Sequence, residues 1–253
     1  MIPVYNVNGL PFWSQEDIKL RNYLKESFAS KVYSVLEQEN PAWKMLEIEA
    51  PLLTPTSLIN PNYTNEDVWM QEVVDTETPL VLRPETTPGS YAYAKHLLET
   101  HSIYKPPFIV WQAGKSFRRE QDQVSKNMRL KEFYQQEFQC IYTAETMNDY
   151  HTAVLEPMRA MLADATNLEA RIIESDRLPS YSQITMDVEV YNGDKWMEVC
   201  SISRRIDFPI KASFQTKKGF VEKDLLVLEI AIGLDRVIYN RNHIDRSRLN
   251  QPE

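Results

Sequence analysis

The segment Phe117-Arg118-Arg119-Glu120, followed after a polar loop by Arg129-Leu130-Lys131-Glu132-Phe133, constrains this chain more than any other stretch. It reads as two strands joined by a long loop, with arginines, glutamates and an aromatic ring gathered at the joined ends. An arginine can fork onto phosphate oxygens. A glutamate accepts hydrogen bonds from an exocyclic amine, and a ring stacks on a base. Such a pair of strands could hold one ATP without a glycine-rich loop.

That alternative matters because the usual phosphate cradles are missing. With 6 glycines in 253 residues, neither GxxxxGK[ST] nor GxGxxG occurs. The length suits one large domain with a real core, and the hydrophobic, aromatic and charged fractions are ordinary for a soluble protein. A net charge of −8 argues against a protein that coats nucleic acid, while leaving room for a local basic patch. Cys140 and Cys200 form no CxxC pair and suggest no disulfide framework. The N-terminus carries no basic region followed by an apolar run, and no apolar stretch reaches membrane-spanning length. The expectation is a cytoplasmic protein without a membrane partner.

Along the chain, Ser14-Gln-Glu-Asp17 resembles a capping box, and Leu20, Leu24, Phe28, Val32, Val35 and Leu36 recur at helical spacing as far as Asn40-Pro41. Trp43 to Ala50 reads as strand, Pro55 and Pro61 mark a loop, and Leu80 to Arg83 is a short strand before a helix from Ser90 to Glu99. Phe108 to Gln112, Lys115 to Arg118 and Arg129 to Tyr142 read as strands. Thr146 to Leu162 reads as a helix that Pro157 should kink or divide. Asn192-Gly193, between alternating segments, predicts a hairpin with positive φ at both turn positions. Leu225 to Ile232 is a buried strand leading into a helix from Gly233 to Asn242. Strands outnumber helices and pair as hairpins, so the fold class expected is α+β, an antiparallel sheet flanked by helices.

Three segments now stand in order: a long helix and strand ending in Pro51, the strand-loop-strand around Arg118, and Leu228-Glu-Ile-Ala-Ile-Gly-Leu-Asp-Arg236 at a strand-helix junction. Their order resembles motifs 1, 2 and 3 of class II aminoacyl-tRNA synthetases over nearly the whole chain. Within that class, Leu82-Arg-Pro-Glu-Thr86, Gly114-Lys-Ser-Phe-Arg118, Arg129-Leu-Lys-Glu-Phe-Tyr-Gln-Gln-Glu137 and Trp196-Met-Glu198 through Arg205 resemble segments of glycyl-tRNA synthetases. The seryl, threonyl, prolyl and histidyl enzymes share the architecture.

The resemblance implies roles. Arg118 would bind the α-phosphate of ATP, Glu120 the adenine amine and Arg129 the γ-phosphate. Phe133 would stack under the adenine, with Arg236 over its other face; Arg118 and Arg236 are the expected catalytic residues. Glu198 is the expected Mg²⁺ ligand, in keeping with the preference of hard cations for carboxylate oxygen. Glu85, Glu137 and Glu229 would line the amino-acid pocket, and Arg205 would steer the substrate carboxylate. The plainer reading of Glu85 and Glu137 is ion pairing with Arg83 and Lys131. The resemblance also implies activation of a small amino acid, glycine first, as an aminoacyl-adenylate, transfer to the tRNA acceptor end, and a homodimer through the motif 1 region.

Several features depart from the glycyl pattern. Ile230-Ala231 stands where Pro-Ser is usual, Gln139 where a second glutamate is usual, and Ala231 replaces a motif 3 glycine. These leave glycine, alanine, serine and threonine open. The chain reaches its last residue, Glu253, soon after motif 3, so it reads as one catalytic domain over 1–253 without the anticodon-binding domain of the resembled enzymes. Two alternatives follow: a ligase loading a non-tRNA acceptor such as a carrier protein, or a non-enzymatic accessory subunit. Cys140 and Cys200 lack a clear third and fourth zinc ligand.

Overall fold

A computed structural model describes residues 5–7, 9–64, 66–71, 79–100, 104–119, 128–145, 149–176, 180–216 and 219–249. In chain order the elements are β1 (Tyr5–Val7), β2 (Leu10–Phe12), α1 (Gln15–Glu39), β3 (Lys44–Glu47), β4 (Leu53–Pro55), β5 (Trp69–Gln71), β6 (Leu80–Leu82), α2 (Thr87–Thr100), β7 (Phe108–Phe117) and β8 (Glu132–Thr143). Then come α3 (Tyr150–Thr166), β9 (Ala170–Glu174), β10 (Ser182–Tyr191), β11 (Trp196–Arg205), β12 (Ala212–Thr216), β13 (Gly219–Lys223), β14 (Leu225–Ile232) and α4 (Leu234–Leu249). None of the described helices is long and apolar enough to cross a membrane.

The strands of the central sheet lie in the order β3-β7-β8-β14-β11-β10-β9. Every pairing is antiparallel except β3 with β7 at one edge. This is the α+β sheet expected. Because side chains alternate across a strand, the register sorts residues onto two faces. One face carries Ile109, Trp111, Phe138, Cys140, Leu228, Ile230 and Ile202, and α1, α3 and α4 cover it with Leu24, Phe28, Val32, Val154, Met158, Leu162 and Val237. Each such fully buried side chain contributes about 1.5–3 kcal/mol. Both cysteines are buried, and burial pushes their thiols above the ordinary range.

The other face changes character along the strands. At one end Phe108, Ile141 and Val227 are apolar and lie beneath Tyr91, Ala94 and Leu97 of α2. The next aligned row is Val110, Gln139, Glu229, Ser203 and Thr185; the row after it is Gln112, Glu137, Ala231, Ser201 and Asp187. Two successive, largely polar rows across five strands make a floor whose buried groups require hydrogen-bond partners.

Local signals set most boundaries. The capping box closes as expected: Ser14 Oγ accepts from the Asp17 amide at 3.2 Å while Asp17 Oδ2 accepts from the Ser14 amide at 3.2 Å. Pro157 does not divide α3, which runs unbroken through it. The proline removes one backbone hydrogen bond, but Val154, Met158 and Leu162 on the buried stripe hold both sides to the same core. The hairpin at Asn192-Gly193 forms, yet only Gly193 has positive φ, at 90°. Asn192 instead accepts from the amides of Asp194 and Lys195 through its side-chain oxygen, which closes a longer loop. Strand β6 falls where Leu80 to Arg83 was expected, whereas its partners β4 and β5 and the two short hairpins, β1–β2 and β12–β13, carry too few alternating residues to be legible beforehand.

One buried knot fixes the segment leading into α2. Arg83 donates from Nε to the Lys115 carbonyl at 2.8 Å, and from Nη1 to the Ala50 carbonyl at 2.8 Å and Gln112 Oε1 at 3.0 Å. Gln112 also accepts from the Ala50 amide and donates to the Thr86 carbonyl and Ser90 Oγ, so all its hydrogen-bonding positions are used. The guanidinium passes over Gly114: a Cβ there would lie 2.3 Å from Arg83 Nη2. Gly114→Ala should therefore lower stability by about 1–3 kcal/mol by overpacking this knot. Urea denaturation checks it, and an unchanged midpoint would show that the guanidinium can shift aside.

Candidate active site

Over the polar rows lies a cavity of about 680 Å³. Behind Glu229, one of its wall residues, lies Arg205, at the end of β11 and 1% exposed. Nη1 donates to Glu229 Oε2 at 2.6 Å, while Nε and Nη2 fork onto Asp207 at 3.0 and 2.7 Å. Burial works against this charge, but Glu229, Tyr91 and Asp207 more than offset it, so its pKa is raised and it stays a cation. The fork expected to steer a substrate carboxylate is thus occupied by the protein's own carboxylates.

Three glutamates surround this cation. Glu229 Oε2 also accepts from Gln139 Nε2 at 2.9 Å. Glu137, directly across β8 from Gln112, is 4% exposed and accepts from Thr86 Oγ1 at 2.5 Å and Gln135 Nε2 at 2.7 Å. Thr87 Oγ1 stands 3.0 Å from Glu137 Oε2 and 3.1 Å from Glu229 Oε2, with one proton to give. Glu85 enters from the segment before α2 and accepts from the Tyr63 hydroxyl at 3.1 Å. The ion pairs with Arg83 and Lys131 are not formed in this way: Arg83 points into the Ala50–Gln112 knot, and the partners of Glu137 are hydroxyls and an amide.

Packing these carboxylates together leaves too much negative charge for one guanidinium. Burial, then Glu229, then Glu85 push Glu137 up to about 8. Burial also raises Glu85, with Arg205 opposing and Glu229 adding to the rise. Burial and the neighbouring carboxylates therefore favour a proton on Glu137 near neutrality.

The outer half of the cavity holds the other expected residues. Arg118 donates from Nε to the Pro84 carbonyl at 3.1 Å, and its guanidinium carbon lies 5.2 Å from the ring centre of Phe133 and 5.9 Å from that of Tyr63. Phe133 packs against Met128, Leu130 and Met197. Arg129 lines the same cavity from the start of β8's approach. Opposite, Arg236 in the first turn of α4 donates to the Glu198 carbonyl at 3.1 Å and lies 3.5 Å from the Glu198 carboxylate. Its neighbour Asp235 accepts from the Tyr134 amide at 2.8 Å, tying α4 to β8, and burial raises its pKa to about 7. Glu120 lies outside the described residues, as do Lys217, Lys218 and the side chains of residues 242–249.

For a divalent cation the donors are hard oxygens. Glu198, Asp187 and Ser201 line one wall, and Asp187 is raised by burial and, among other causes, by the charge of Glu198. No cluster of three or more His, Cys, Asp or Glu able to hold a metal occurs among the described residues. That set fits Mg²⁺, which takes one or two carboxylates and completes its shell with water and phosphate. It does not form an all-protein cage.

Sequence reading missed Tyr63, Tyr181, Thr87 and Gln135. The period-two pattern Phe133, Gln135, Glu137, Gln139 in β8 would have placed Gln135 on the pocket face. The two tyrosines come from irregular segments and carry no periodic signal. A raised carboxyl pKa means the folded state binds more protons than the unfolded one between about pH 4.5 and 8, so the Glu137 contribution to stability falls as pH rises through that window. Glu137→Gln removes this titration. Its melting temperature should gain on the wild type between pH 5 and pH 8, and a gap independent of pH would refute the assignment.

Residues 68–240 match the family described as tRNA synthetase class II core domain (G, H, P, S and T). The chain is 30% identical over 179 residues to the glycine--tRNA ligase of Mycoplasmopsis synoviae, covering 66% of this chain and 40% of that one. It is 32% identical over 165 residues to the enzyme of the same name from Mycoplasma capricolum, covering 63% and 35%. In fold it is similar to the prolyl-tRNA synthetase of Cryptosporidium parvum solved with halofuginone and AMPPNP, with a TM-score of 0.73 at 14% identity, over 96% of this chain and 49% of that chain. The same enzyme solved with L-proline and AMP gives 0.70 at 15% identity. The chain thus spans well under half the length of these glycine--tRNA ligases. With its antiparallel sheet, its cavity and a family match across most of its length, the chain belongs to the class II tRNA synthetase core family.

Proposed function

We propose that this protein activates a small amino acid, glycine first, with ATP and transfers it to the acceptor end of tRNA. One observation carries the reading: a single cavity holds Arg118 beside Phe133 at one end and Glu85, Glu137 and Glu229 at the other. A nucleotide needs the first group and an α-ammonium the second. The likeness to glycine--tRNA ligases supports glycine as the substrate.

In this reading the adenine lies on Phe133 with Arg236 above it, and Arg118 and Arg129 take phosphate oxygens. Glu137 and Glu85 receive the ammonium, which draws the stored proton off the pair and leaves both charged. Arg205 acts on the substrate through Glu229, which it holds by a hydrogen bond, rather than by direct contact. An oxygen of the amino-acid carboxylate attacks the α-phosphorus. The new oxygen–phosphorus bond forms as the bond to the β-phosphate bridge breaks, and pyrophosphate leaves. A tRNA ribose hydroxyl then attacks the carbonyl carbon and AMP departs. No enzyme nucleophile is required; the protein positions the reactants and stabilises charge. Glu198 with Asp187 would hold Mg²⁺, which neutralises phosphate charge when bound.

The same reading includes a cytoplasmic homodimer. Leu10, Phe12, Ile18 and Tyr23 are exposed at the N-terminal end that forms the motif 1 region. Light scattering should give twice the chain mass; a monomer at micromolar concentration would remove the dimer.

The central test is amino-acid-dependent exchange of pyrophosphate into ATP across the twenty standard amino acids, followed by charging of purified tRNA. Arg118→Ala should reduce exchange by roughly 10²–10³ or more, as expected for loss of a preorganised charge contact, with an unchanged melting temperature. Exchange at the wild-type rate would remove Arg118 from the phosphate site. Activation without charging of any tRNA in a total pool would show a different acyl acceptor.

A further inference from the structure

A second cavity, of about 520 Å³, lies behind the carboxylate end of the first. Its walls are largely apolar, with Leu58, Ile59 and Pro61 on one side and Pro88 and Tyr91 of α2 on another. Among the described residues only Glu85 and Tyr181 line both cavities. Glu85 is held by the Tyr63 hydroxyl and belongs to the carboxylate cluster. Tyr181 is different: it stands just before β10, and its ring lies over the Arg205 guanidinium at 4.1 Å from carbon to ring centre. Burial, then Glu229 and Glu85, raise the pKa of its hydroxyl.

We propose that the ring of Tyr181 is a specificity-determining partition, which closes the carboxylate pocket against an adjoining apolar chamber and so restricts the site to amino acids with little or no side chain. This rests on the reading of the pocket as an amino-acid site. The physical reason is asymmetric. Hydrogen-bonding carboxylates recognise the ammonium that every amino acid carries, so they cannot select among side chains by themselves. Selection against bulk needs a wall. The sheet supplies the floor and the segment before α2 one side, and Tyr181 stands with Glu85 between the two cavities. Beyond it lies apolar space able to accept an aliphatic side chain.

The partition is also removable. None of the three bonds from Arg205 to Glu229 and Asp207 involves residue 181. The fold contact at this position is made by the backbone, whose carbonyl accepts from the Ile206 amide at 2.9 Å. Substitution should therefore change the cavity without dismantling the site.

The experiment compares wild type, Tyr181→Phe and Tyr181→Ala in pyrophosphate exchange with glycine, alanine, 2-aminobutyrate, valine and leucine. Wild type and Tyr181→Phe should share one preference for the smallest substrates. Tyr181→Ala should raise kcat/KM for valine or leucine, relative to glycine, by about tenfold or more, in line with what one or two methylenes are worth in an apolar pocket. The KM for ATP should not change. Thermal-shift binding of aminoalkyl adenylates with the same graded side chains reads the selectivity without turnover, so loss of catalysis in the alanine variant would still give an answer. Wild-type selectivity in Tyr181→Ala, by either readout, overturns the partition alone. Equal relaxation in Tyr181→Phe overturns it too, since the hydroxyl and not the ring would then be the filter. Absence of exchange in the wild type with every amino acid overturns the amino-acid reading and the partition with it.

Discussion

A single buried guanidinium among carboxylates is the interaction on which the site depends. Arg205 is removed from water and held by Glu229 on one edge and Asp207 on the other. Breaking such a pair by deleting one partner costs about 3–5 kcal/mol, because the other charge is stranded. The pair's value to this protein lies less in stability than in the field it sets. Glu229 is held beside Glu137, and Thr87 and Gln139 fix which of its oxygens remain available. Glu137 is driven up in pKa by burial and then by Glu229 and Glu85.

The sheet makes this possible by separating its two faces. The same strands that bury Phe138, Cys140, Leu228 and Ile230 under three helices turn Glu137, Gln139 and Glu229 the other way. A slip of one residue in the β8–β14 register would exchange the carboxylates for the core. The apolar face thus provides the stability that holds the polar face in place. On that polar face, α2 covers the apolar end and leaves the two polar rows open to the cavity. Irregular backbone supplies the remaining groups, and it is held as firmly as the strands. The knot of Arg83 and Gln112 pins the stretch carrying Glu85, Thr86 and Thr87, and Arg118 holds the Pro84 carbonyl in the same stretch. Gly114 is the residue whose missing side chain lets that knot form.

Much of this was legible in the residues alone. The capping box at Ser14 and the stripe from Leu24 to Leu36 define α1, because both are local: a cap satisfies its own amides and a stripe repeats with the helix. Strand β14 fell where its apolar run predicted. Glu229 inside that run was conspicuous for the same reason, since a carboxylate in an apolar strand requires partners. The pairing of Arg118 with Phe133 followed from two strands joined by a loop. The unbroken course of α3 through Pro157 was not legible, because it depends on a core built by distant strands.

The amino-acid sequence by itself determined the α+β class, the strand-loop-strand that presents Arg118 and Phe133, and the acidic residues at Glu85, Glu137 and Glu229. The class and the strand-loop-strand arise from chemical type and short-range spacing, whereas the three glutamates were singled out by the resemblance to known synthetases. Only the tertiary structure decided that Arg205 is bound to the protein's own carboxylates, that Arg83 serves a backbone knot and not Glu85, and that Tyr63 and Tyr181 reach the pocket. Each of these depends on which chain segments meet across the sheet, and a side chain's partner is set by that meeting rather than by its neighbours in sequence.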